Sequence, residues 1–216
     1  MTAKGKPLHV LIIDDHAAVR RGLATILSDE FDDVQIAFAG DSRSAVEQLQ
    51  AATFQLVLCD INLPGRNGID ALKEIKASQP KVPVLMMSMH PEEQFAIRAL
   101  KAGASGYLTK NSEPEELVAA AKTLLNGRKY IGARLAEQLA TSLSAPAEKL
   151  PHERLSDREY EVFCLLASGK EVKEVGADLG LSVKTISTHR EHILKKMGMK
   201  NNAALTVYAV KNGLVE

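Results

Sequence analysis

The sequence has few cysteines and no long apolar run, and each of these features excludes a class of protein. Its two cysteines, Cys59 and Cys164, lie in apolar segments without a Cys or His at metal-ligand spacing, which favours buried free thiols over a disulfide or a zinc site. The longest apolar stretch, residues 82–89, is far shorter than the roughly 18 residues of a membrane span. The amino-terminal residues lack the hydrophobic region of a signal peptide. We therefore expect a cytoplasmic protein that does not enter a membrane.

The sequence also lacks an excess of charge of either sign, with 27 basic and 27 acidic residues. Net charge therefore gives no indication of a nucleic-acid partner. Residues 181–200 are a local exception, because five lysines and arginines oppose the single acidic residue Glu191 there. With 45% hydrophobic and 25% charged residues, the composition is that of an ordinary globular protein, and a length of 216 residues suits two small domains better than one.

Short apolar runs of strand length alternate with amphipathic helical patterns in the first part of the chain. We predict strands over residues 9–13, 34–38, 56–59, 82–87 and 106–108, and helices over residues 17–27, 42–51, 69–77, 92–102 and 114–125. Strands that are apolar at nearly every position are typical of a parallel sheet with helices on both faces. The predicted fold of this part is therefore α/β, and we expect a ligand site at the carboxyl ends of its strands.

The pattern changes after Asn126 and Gly127, which can end a helix. We predict one more helix over residues 133–143 and a linker over residues 144–151, where two prolines occur without a periodic apolar face. The predicted organisation is a first domain over residues 1–127, a connecting segment over 128–151 and a second domain over 152–216.

The carboxyl-terminal segment has helical patterns throughout and contains a sharp turn. Ser156 and Glu159 form the pattern of a capping box. Gly180 ends a short second helix, and Ser182 can cap the longer helix that follows. We expect the apolar face of that longer helix to bury Val183, Ile186, Ile193, Leu194 and Met197. Four short helices with a tight glycine turn indicate a separate all-α helix-turn-helix module.

Three carboxylates follow strands that end at the same edge of the predicted sheet. Asp14 and Asp15 come directly after the first strand, and Asp60 follows the third. Like charges a few ångström apart repel one another unless a cation neutralises them, and Mg²⁺ prefers such oxygen ligands. Ser88 and Lys110 stand at the ends of the fourth and fifth strands, where a hydroxyl and an ammonium can stabilise a transferring phosphoryl group. A carboxylate can itself be the nucleophile.

These residues resemble the receiver domain of two-component response regulators. The resemblance covers residues 8–126 and rests on the motifs Ile12-Ile-Asp-Asp15, Leu58-Cys-Asp60, Met87-Ser88 and Gly103-Ala-Ser-Gly-Tyr-Leu-Thr-Lys110. It implies a flavodoxin-like sheet of five parallel strands, in which Asp60 accepts a phosphoryl group from a sensor histidine kinase. It also implies Mg²⁺ binding by Asp14, Asp15, Asp60 and the backbone carbonyl of Asn62, and a response to the phosphoryl group by Ser88, Tyr107 and Lys110. Asn111 replaces the proline that many receivers have after this lysine, so a cis bond is not expected there.

The carboxyl-terminal part resembles the LuxR-type helix-turn-helix of regulators of the NarL/FixJ class. Its motifs include Leu155-Ser-x-Arg-Glu159, Leu179-Gly-Leu-Ser182, Lys184-Thr-Ile186 and Ile193-Leu-Lys-Lys196. The resemblance implies that a homodimer, formed on activation, binds promoter half-sites in double-stranded DNA, with RNA polymerase as a candidate partner. The expected DNA-contacting residues are Lys184, Thr185, Ser187, Thr188, Arg190, Glu191, Lys195, Lys196 and Lys200. Those in the first half of the helix would face base edges, and the late lysines would approach phosphates.

The predicted function is that of a transcription regulator switched by Mg²⁺-dependent phosphorylation of Asp60, and not that of an enzyme beyond its own phosphorylation and dephosphorylation. Three other interpretations stay open at this point. A Mg²⁺-dependent phosphohydrolase would use Asp60 as its nucleophile, but Asn62 stands where a second carboxylate is needed. A dinucleotide-binding domain would need a glycine-rich turn after the first strand, where this chain has Asp14, Asp15 and His16. A DNA-binding protein that is independent of phosphorylation is the third.

Overall fold

The computed structural model describes residues 7–64, 67–89, 92–132, 135–137 and 150–215. The chain forms two compact units: the first contains residues 1–92 and 96–133, and the second contains residues 93–95 and 134–216. Within the described ranges, no helix is both long and apolar enough to cross a lipid bilayer. The predicted helix over residues 133–143 lies outside the described residues except for its three helical positions 135–137, and most of the predicted linker lies outside them as well.

The first unit is built on a sheet of five parallel strands, as predicted. The strands are β1 (Leu8–Ile13), β2 (Val34–Ala39), β3 (Leu56–Asp60), β4 (Val84–Ser88) and β5 (Gly106–Thr109), in the spatial order β2-β1-β3-β4-β5. The prediction that the fourth strand begins at Val82 is wrong. The Val82 N–H donates to the Gln79 carbonyl at 3.1 Å in a turn, and Pro83 has no N–H to offer to a strand ladder.

Helices connect these strands and cover them. They are α1 (Ala17–Glu30), α2 (Ser42–Ala51), α3 (Gly68–Ser78), α4 (Glu92–Lys101) and α5 (Pro114–Leu125). The successive residues Val10, Leu11 and Ile12 of β1 are all completely buried, so both faces of this strand are covered. On α1, Leu23 and Leu27 are buried; they lie one helical turn apart on the face that packs against the sheet.

The second unit is helical, and its first long helix is capped. Its elements are a 3₁₀ turn (Pro151–Arg154), α6 (Asp157–Ala167), α7 (Val172–Asp178), α8 (Val183–Met197) and α9 (Asn202–Lys211). Ser156 and Glu159 form the predicted capping box at the start of α6. The Glu159 N–H donates to Ser156 Oγ at 3.3 Å, and the Ser156 N–H donates to Glu159 Oε2 at 2.8 Å. Two donors that the helix cannot satisfy internally are thereby paired.

A tight turn at Gly180 joins α7 to α8. The φ angle of Gly180 is 62°, a left-handed conformation that glycine adopts without steric cost. The prediction that α8 buries Val183 is wrong, since 51% of this residue is exposed. Val183 is the first residue of α8 and lies off the buried stripe, which contains Ile186, Ile193 and Met197.

The first residue of α3 packs directly against the end of β3. The Gly68 N–H donates to the Ile61 carbonyl at 2.7 Å, and a Cβ on Gly68 would lie 2.0 Å from the Asp60 carbonyl oxygen. Asn67 caps the helix, because its side chain accepts from the Ile69 N–H at 2.8 Å. Position 68 therefore requires glycine if α3 is to begin beside the third of the predicted carboxylates.

We predict that Gly68→Ala lowers the free energy of unfolding by roughly 1–3 kcal/mol, because the backbone must move away from the added methyl group. Gly22→Ala is the matched control: Gly22 lies within α1, nothing lies within 4 Å of the Cβ it would gain, and alanine should raise the free energy of unfolding there by roughly 0.5–1 kcal/mol. Urea denaturation measures both variants. A Gly68→Ala protein as stable as the wild type would show that this approach imposes no constraint.

Candidate functional site

The carboxyl ends of four strands bring together side chains that the sequence singles out. Asp14 follows β1, Asp60 ends β3, Ser88 ends β4 and Lys110 follows β5. Asp14, Asp60 and Ser88 are 1%, 2% and 0% exposed. This edge of the sheet is therefore a buried polar pocket and not a solvated surface.

Lys110 joins the two buried carboxylates of this pocket. Its Nζ lies 2.6 Å from Asp14 Oδ2 and donates to Asp60 Oδ2 at 2.7 Å. Two ionised acids and one ammonium leave an excess of negative charge, and burial makes that excess costly. Asp60 Oδ1 is buried and has no hydrogen-bond partner, so one oxygen of the central carboxylate is left unsatisfied by the protein.

Burial controls the protonation of this cluster. Removal from water raises the pKa of Asp60 to about 6, although the Lys110 ammonium acts in the opposite direction. Burial also acts to lower the pKa of Lys110, but the attraction of Asp60 and Asp14 outweighs it, and the pKa of Lys110 is raised. Lys110 therefore stays charged at neutral pH, whereas the charge of Asp60 responds to small changes in its surroundings.

Asp15 lies at the more exposed side of the pocket, beside His16. His16 Nδ1 lies 2.7 Å from Asp15 Oδ1, and the His16 N–H donates to Asp14 Oδ1 at 2.8 Å. Ligand atoms of Asp14, Asp15 and His16 all lie within 4.8 Å of one another. Arg20 fixes the backbone here, because its Nη1 donates to the Asp14 carbonyl at 2.6 Å.

These donors fit a hard divalent cation. Carboxylate oxygens are the ligands that Mg²⁺ prefers, and Asp60 Oδ1 is a buried oxygen that no protein donor satisfies. Asp14, Asp15 and Asp60 are the side chains that could hold such an ion. Asn62, whose carbonyl the sequence predicts as a further ligand, lies two residues after Asp60 and pairs with Asn67 in an isolated bridge.

Ser88 and Tyr107 are completely buried. The Ser88 carbonyl accepts from the Lys110 N–H at 2.7 Å, which ties the end of β4 to the residue after β5. Tyr107 lies within β5, opposite Met86 of β4. The peptide bond between Lys110 and Asn111 is trans, as is every described peptide bond.

In the second unit, the side chains that the sequence assigns to DNA lie on α8 and, for Lys200, just after it. Ser182 caps this helix, because its Oγ accepts from the Thr185 N–H at 3.1 Å. The exposed residues of the predicted set are Lys184, Thr188, Glu191, Lys195, Lys196 and Lys200, and the partly buried ones are Thr185, Ser187 and Arg190. Most of the predicted DNA-contacting residues are thus accessible to a partner. Those with hydroxyl groups lie in the first half of α8, and most of the lysines lie at or just past its end.

Two basic residues of α8 also bind within the unit. Arg190 Nε donates to Asn202 Oδ1 at 2.6 Å, and Lys196 Nζ donates to Glu159 Oε2 at 2.6 Å. Burial acts to raise the pKa of Glu159, but hydrogen bonds from Lys196 and Ser156 outweigh it, and the pKa is lowered. Sequence reasoning missed Glu159 and Asn202 as partners of these residues. The capping box marked Glu159 as structural, but nothing in the sequence pattern pointed to Asn202.

We predict that, in the absence of divalent ions, ionisation of Asp60 makes the free energy of unfolding fall as the pH rises from about 4 to about 6. The folded protein keeps this proton over a pH range in which the unfolded chain has lost it, so ionisation favours unfolding. At about 1.4 kcal/mol per pKa unit, the fall is at most about 3 kcal/mol.

Urea denaturation in EDTA over a series of pH values measures this effect. Asp60→Asn should remove the fall and be more stable than the wild type at pH 7. Asp70→Asn, which changes a carboxylate that is 48% exposed, is the matched control and should keep it. The same pH dependence in Asp60→Asn as in the wild type would contradict the assignment.

Comparison with known proteins covers both units. Residues 10–122 match the family model of the response regulator receiver domain, and residues 153–209 match the model of the bacterial regulatory proteins of the luxR family. The response regulator GacA of Pseudomonas protegens is 33% identical, over 97% of this chain and 98% of its own length. The oxygen regulatory protein NreC of Staphylococcus aureus is 32% identical, over 97% of this chain and its full length.

Solved structures of the response regulator RcsB are similar over nearly the whole chain. One from Salmonella typhimurium has a TM-score of 0.66 and 26% identity, and covers 96% of this chain and 98% of its own. Another shows RcsB from Salmonella enterica bound to the promoter rprA in the presence of the phosphomimetic BeF3−, with a TM-score of 0.64, 26% identity, and coverage of 94% of this chain and 98% of its own. These relatives are regulators and not catalysts. Both family matches and the length of the shared sequence lead to one conclusion: the chain belongs to the two-component response regulators of the NarL/FixJ class, in which a receiver domain is joined to a LuxR-type DNA-binding domain.

Proposed function

We propose that the receiver accepts a phosphoryl group on Asp60 from a sensor histidine kinase, and that this modification controls DNA binding by the second unit. The cluster of Asp60, Asp14 and Lys110 carries the proposal, because one ammonium contacts both carboxylates while Asp60 Oδ1 has no hydrogen-bond partner. A nucleophilic oxygen and a cation that can stabilise phosphoryl charge thus occupy one buried pocket.

Transfer requires ionised Asp60. One oxygen of its carboxylate attacks the phosphorus of a phosphohistidine; the O–P bond forms as the P–N bond breaks, and the leaving imidazole keeps the bonding electron pair. Mg²⁺ held by Asp14, Asp15, Asp60 and the Asn62 carbonyl would supply further positive charge for the phosphoryl oxygens. Lys110 would offer its remaining N–H to one of these oxygens. Hydrolysis of the acyl phosphate then restores the carboxylate, so catalysis is limited to the chain's own phosphorylation and dephosphorylation.

Ser88 and Tyr107 are the proposed relays of the signal. A phosphoryl group shifts a two-state equilibrium only by its different affinity for the two states, so a buried group near it must change its contacts. Ser88 is the last residue of β4, the strand next to β3. Its backbone carbonyl already accepts from the Lys110 N–H. Repacking of Tyr107 on β5 would extend this change along the neighbouring strand.

The proposed domain bounds are residues 1–127 for the receiver, 128–151 for the connecting segment and 152–216 for the DNA-binding domain. The family matches over residues 10–122 and 153–209 support this division. We also propose that the protein acts in the cytoplasm and that phosphorylation favours a homodimer. A single helix-turn-helix contacts only a few base pairs, so two copies on neighbouring half-sites are needed for useful specificity. Contact with RNA polymerase is a further part of this proposal.

On DNA, the first part of α8 is proposed to lie in the major groove. Its residues Lys184, Thr185, Ser187, Thr188, Arg190 and Glu191 would face base edges or the adjoining backbone, and Lys195, Lys196 and Lys200 would face phosphates. Lys195 and Lys200 are exposed and form no ion pair with any described residue. Lys196 has to share its ammonium with Glu159. Lys195 and Lys200 are therefore the better candidates for phosphate contacts whose loss leaves the unit intact.

Asp60→Asn should abolish Mg²⁺-dependent incorporation of phosphate from acetyl phosphate, because the carboxylate nucleophile is replaced by an amide of the same shape. Phosphate-affinity electrophoresis measures the labelling, with Asp70→Asn as the control that keeps it. EDTA should remove labelling from both the wild type and the control. Labelling of Asp60→Asn would place the acceptor elsewhere, and equal DNA affinity of the wild type with and without phosphate would make DNA binding independent of the receiver.

Lys200→Ala should weaken binding to all DNA sequences alike and make the slope of log affinity against log salt shallower by about one unit. Thr188→Ala should instead change the preferred sequence with little effect on that slope. Fluorescence anisotropy with a preferred and a scrambled duplex over a salt series measures both effects. The reverse pattern, with a change of sequence preference in Lys200→Ala and a uniform loss in Thr188→Ala, would contradict the proposed orientation of α8.

A further inference from the structure

A cavity of about 950 Å³ lies in the receiver at the edge of the sheet opposite Asp60, where strands begin and where α3 and α5 end. Its volume is in the range of about 300–1,000 Å³ that is usual for small-molecule sites. Its described lining contains none of the residues assigned above to phosphorylation. The cavity is therefore separate from the buried polar pocket of Asp14, Asp60 and Lys110.

The cavity is open to solvent, and part of its lining is apolar and buried. Phe54, Val82 and Leu124 belong to it and are 7%, 5% and 2% exposed. The lining also contains the prolines Pro7, Pro80 and Pro83. Proline has a fixed φ and no N–H, so these positions make the wall stiff and give it few backbone donors. Such a surface favours an apolar ligand over water.

Gln79 holds part of the wall in place. Its Nε2 donates to the Leu49 and Ala52 carbonyls at 3.0 and 2.8 Å, and its Oε1 accepts from the Phe54 N–H at 3.2 Å. One side chain thereby fastens the end of α3 to the end of α2 and to the segment before β3. The cavity is thus formed before any ligand arrives, which reduces the ordering that binding must impose.

The charged residues that line the cavity all carry positive charge. Lys81, Arg128 and Lys129 line it together with no acidic residue of the described chain, and none of the three forms an ion pair with a described residue. Lys76 lies close by, since its Nζ donates to the Val82 carbonyl at 2.6 Å. Burial and the charge of Lys129 lower the pKa of Lys76.

We propose that this cavity is a second ligand site, which binds a small amphipathic anion with an apolar body and a carboxylate or phosphate head. The apolar lining would bury the body, and Lys81, Arg128 and Lys129 would attract the head. A cationic ligand of the same shape would be repelled. The site goes beyond phosphorylation and DNA binding and does not depend on either.

Isothermal titration calorimetry of the full chain tests this assignment with four probes whose apolar chains are nearly the same length: octanoate, octyl phosphate, octanol and octylammonium. Octanoate, octyl phosphate or both should bind with one site per chain, and the comparison of the two identifies the preferred head group. Octanol should bind at least about tenfold more weakly than the better anion. Octylammonium should show no binding.

Two sets of substitutions locate the site. Lys81→Gln, Arg128→Gln and Lys129→Gln combined should weaken binding of the better anion at least about tenfold, and Thr53→Trp, which fills the cavity from an exposed lining position without changing charge, should weaken it similarly. The matched control combines Arg21→Gln, Arg43→Gln and Lys73→Gln, removes the same number of charges outside the cavity lining, and should bind like the wild type. Asp60→Asn should also bind like the wild type, which separates this site from the phosphorylation proposal. Absence of binding by both anions, equal binding of octylammonium, or equal weakening in the control would overturn the assignment.

Discussion

The buried polar pocket of the receiver depends on the contacts of the Lys110 ammonium with two carboxylates. Two carboxylates that are almost fully buried cannot both be ionised at low cost unless a cation lies between them, and Lys110 Nζ contacts Asp14 and Asp60 at 2.6 and 2.7 Å. The strand order makes this contact possible, because β1, β3, β4 and β5 end at the same side of one parallel sheet. Lysine serves here as a compact point charge that can bind two acids and still offer an N–H to a third group. The same cation thus stabilises the unmodified protein and, in the proposed function, would also contact a transferred phosphoryl group.

In the second unit, Glu159 likewise has two structural roles. It completes the capping box of α6 and also binds Lys196 of α8. The carboxylate is nearly buried, so loss of Lys196 would leave a charge with fewer partners. Arg190 binds Asn202 at the start of α9 in the same way. The basic residues of α8 are therefore not a uniform solvated surface: some fix the position of the helix within the unit, and others are free to approach DNA. In a binding experiment, substitution of the first kind of residue tests the packing of α8, and substitution of the second kind tests contact with DNA.

The sequence predicted the sheet, the capping box and the glycine turn because each depends on short-range patterns of apolar, polar or glycine residues. It also predicted that Cys59 and Cys164 are buried free thiols, and they are. Contacts between distant residues were harder to predict. Lys196 and Glu159 are 37 positions apart, so only the packed unit brings them together. Lys110 and Asp60 are 50 apart, but their places after strands of one parallel sheet had already predicted that they lie at the same edge. Val183 fits an apolar pattern, but its place in the first turn of α8 leaves it exposed. The Mg²⁺ ligands and DNA contacts remain predictions, since their geometry depends on partners that the chain alone does not supply.

The outer edge of β5 is partly covered by Tyr130, which lies beyond the proposed end of the receiver at residue 127. Tyr130 forms a bridge with Gly106 beyond the end of α5, and its hydroxyl donates to Glu116 Oε1 at 3.1 Å. The approach is so close that a Cβ on Gly106 would lie 3.0 Å from the Tyr130 carbonyl oxygen. A receiver fragment that ended at residue 127 would keep all five strands but lose this cover. The backbone of Gly106, at the start of β5, would then be open to pairing with another chain, which is a common origin of edge-to-edge aggregation. A soluble fragment for separate study should therefore extend past Tyr130.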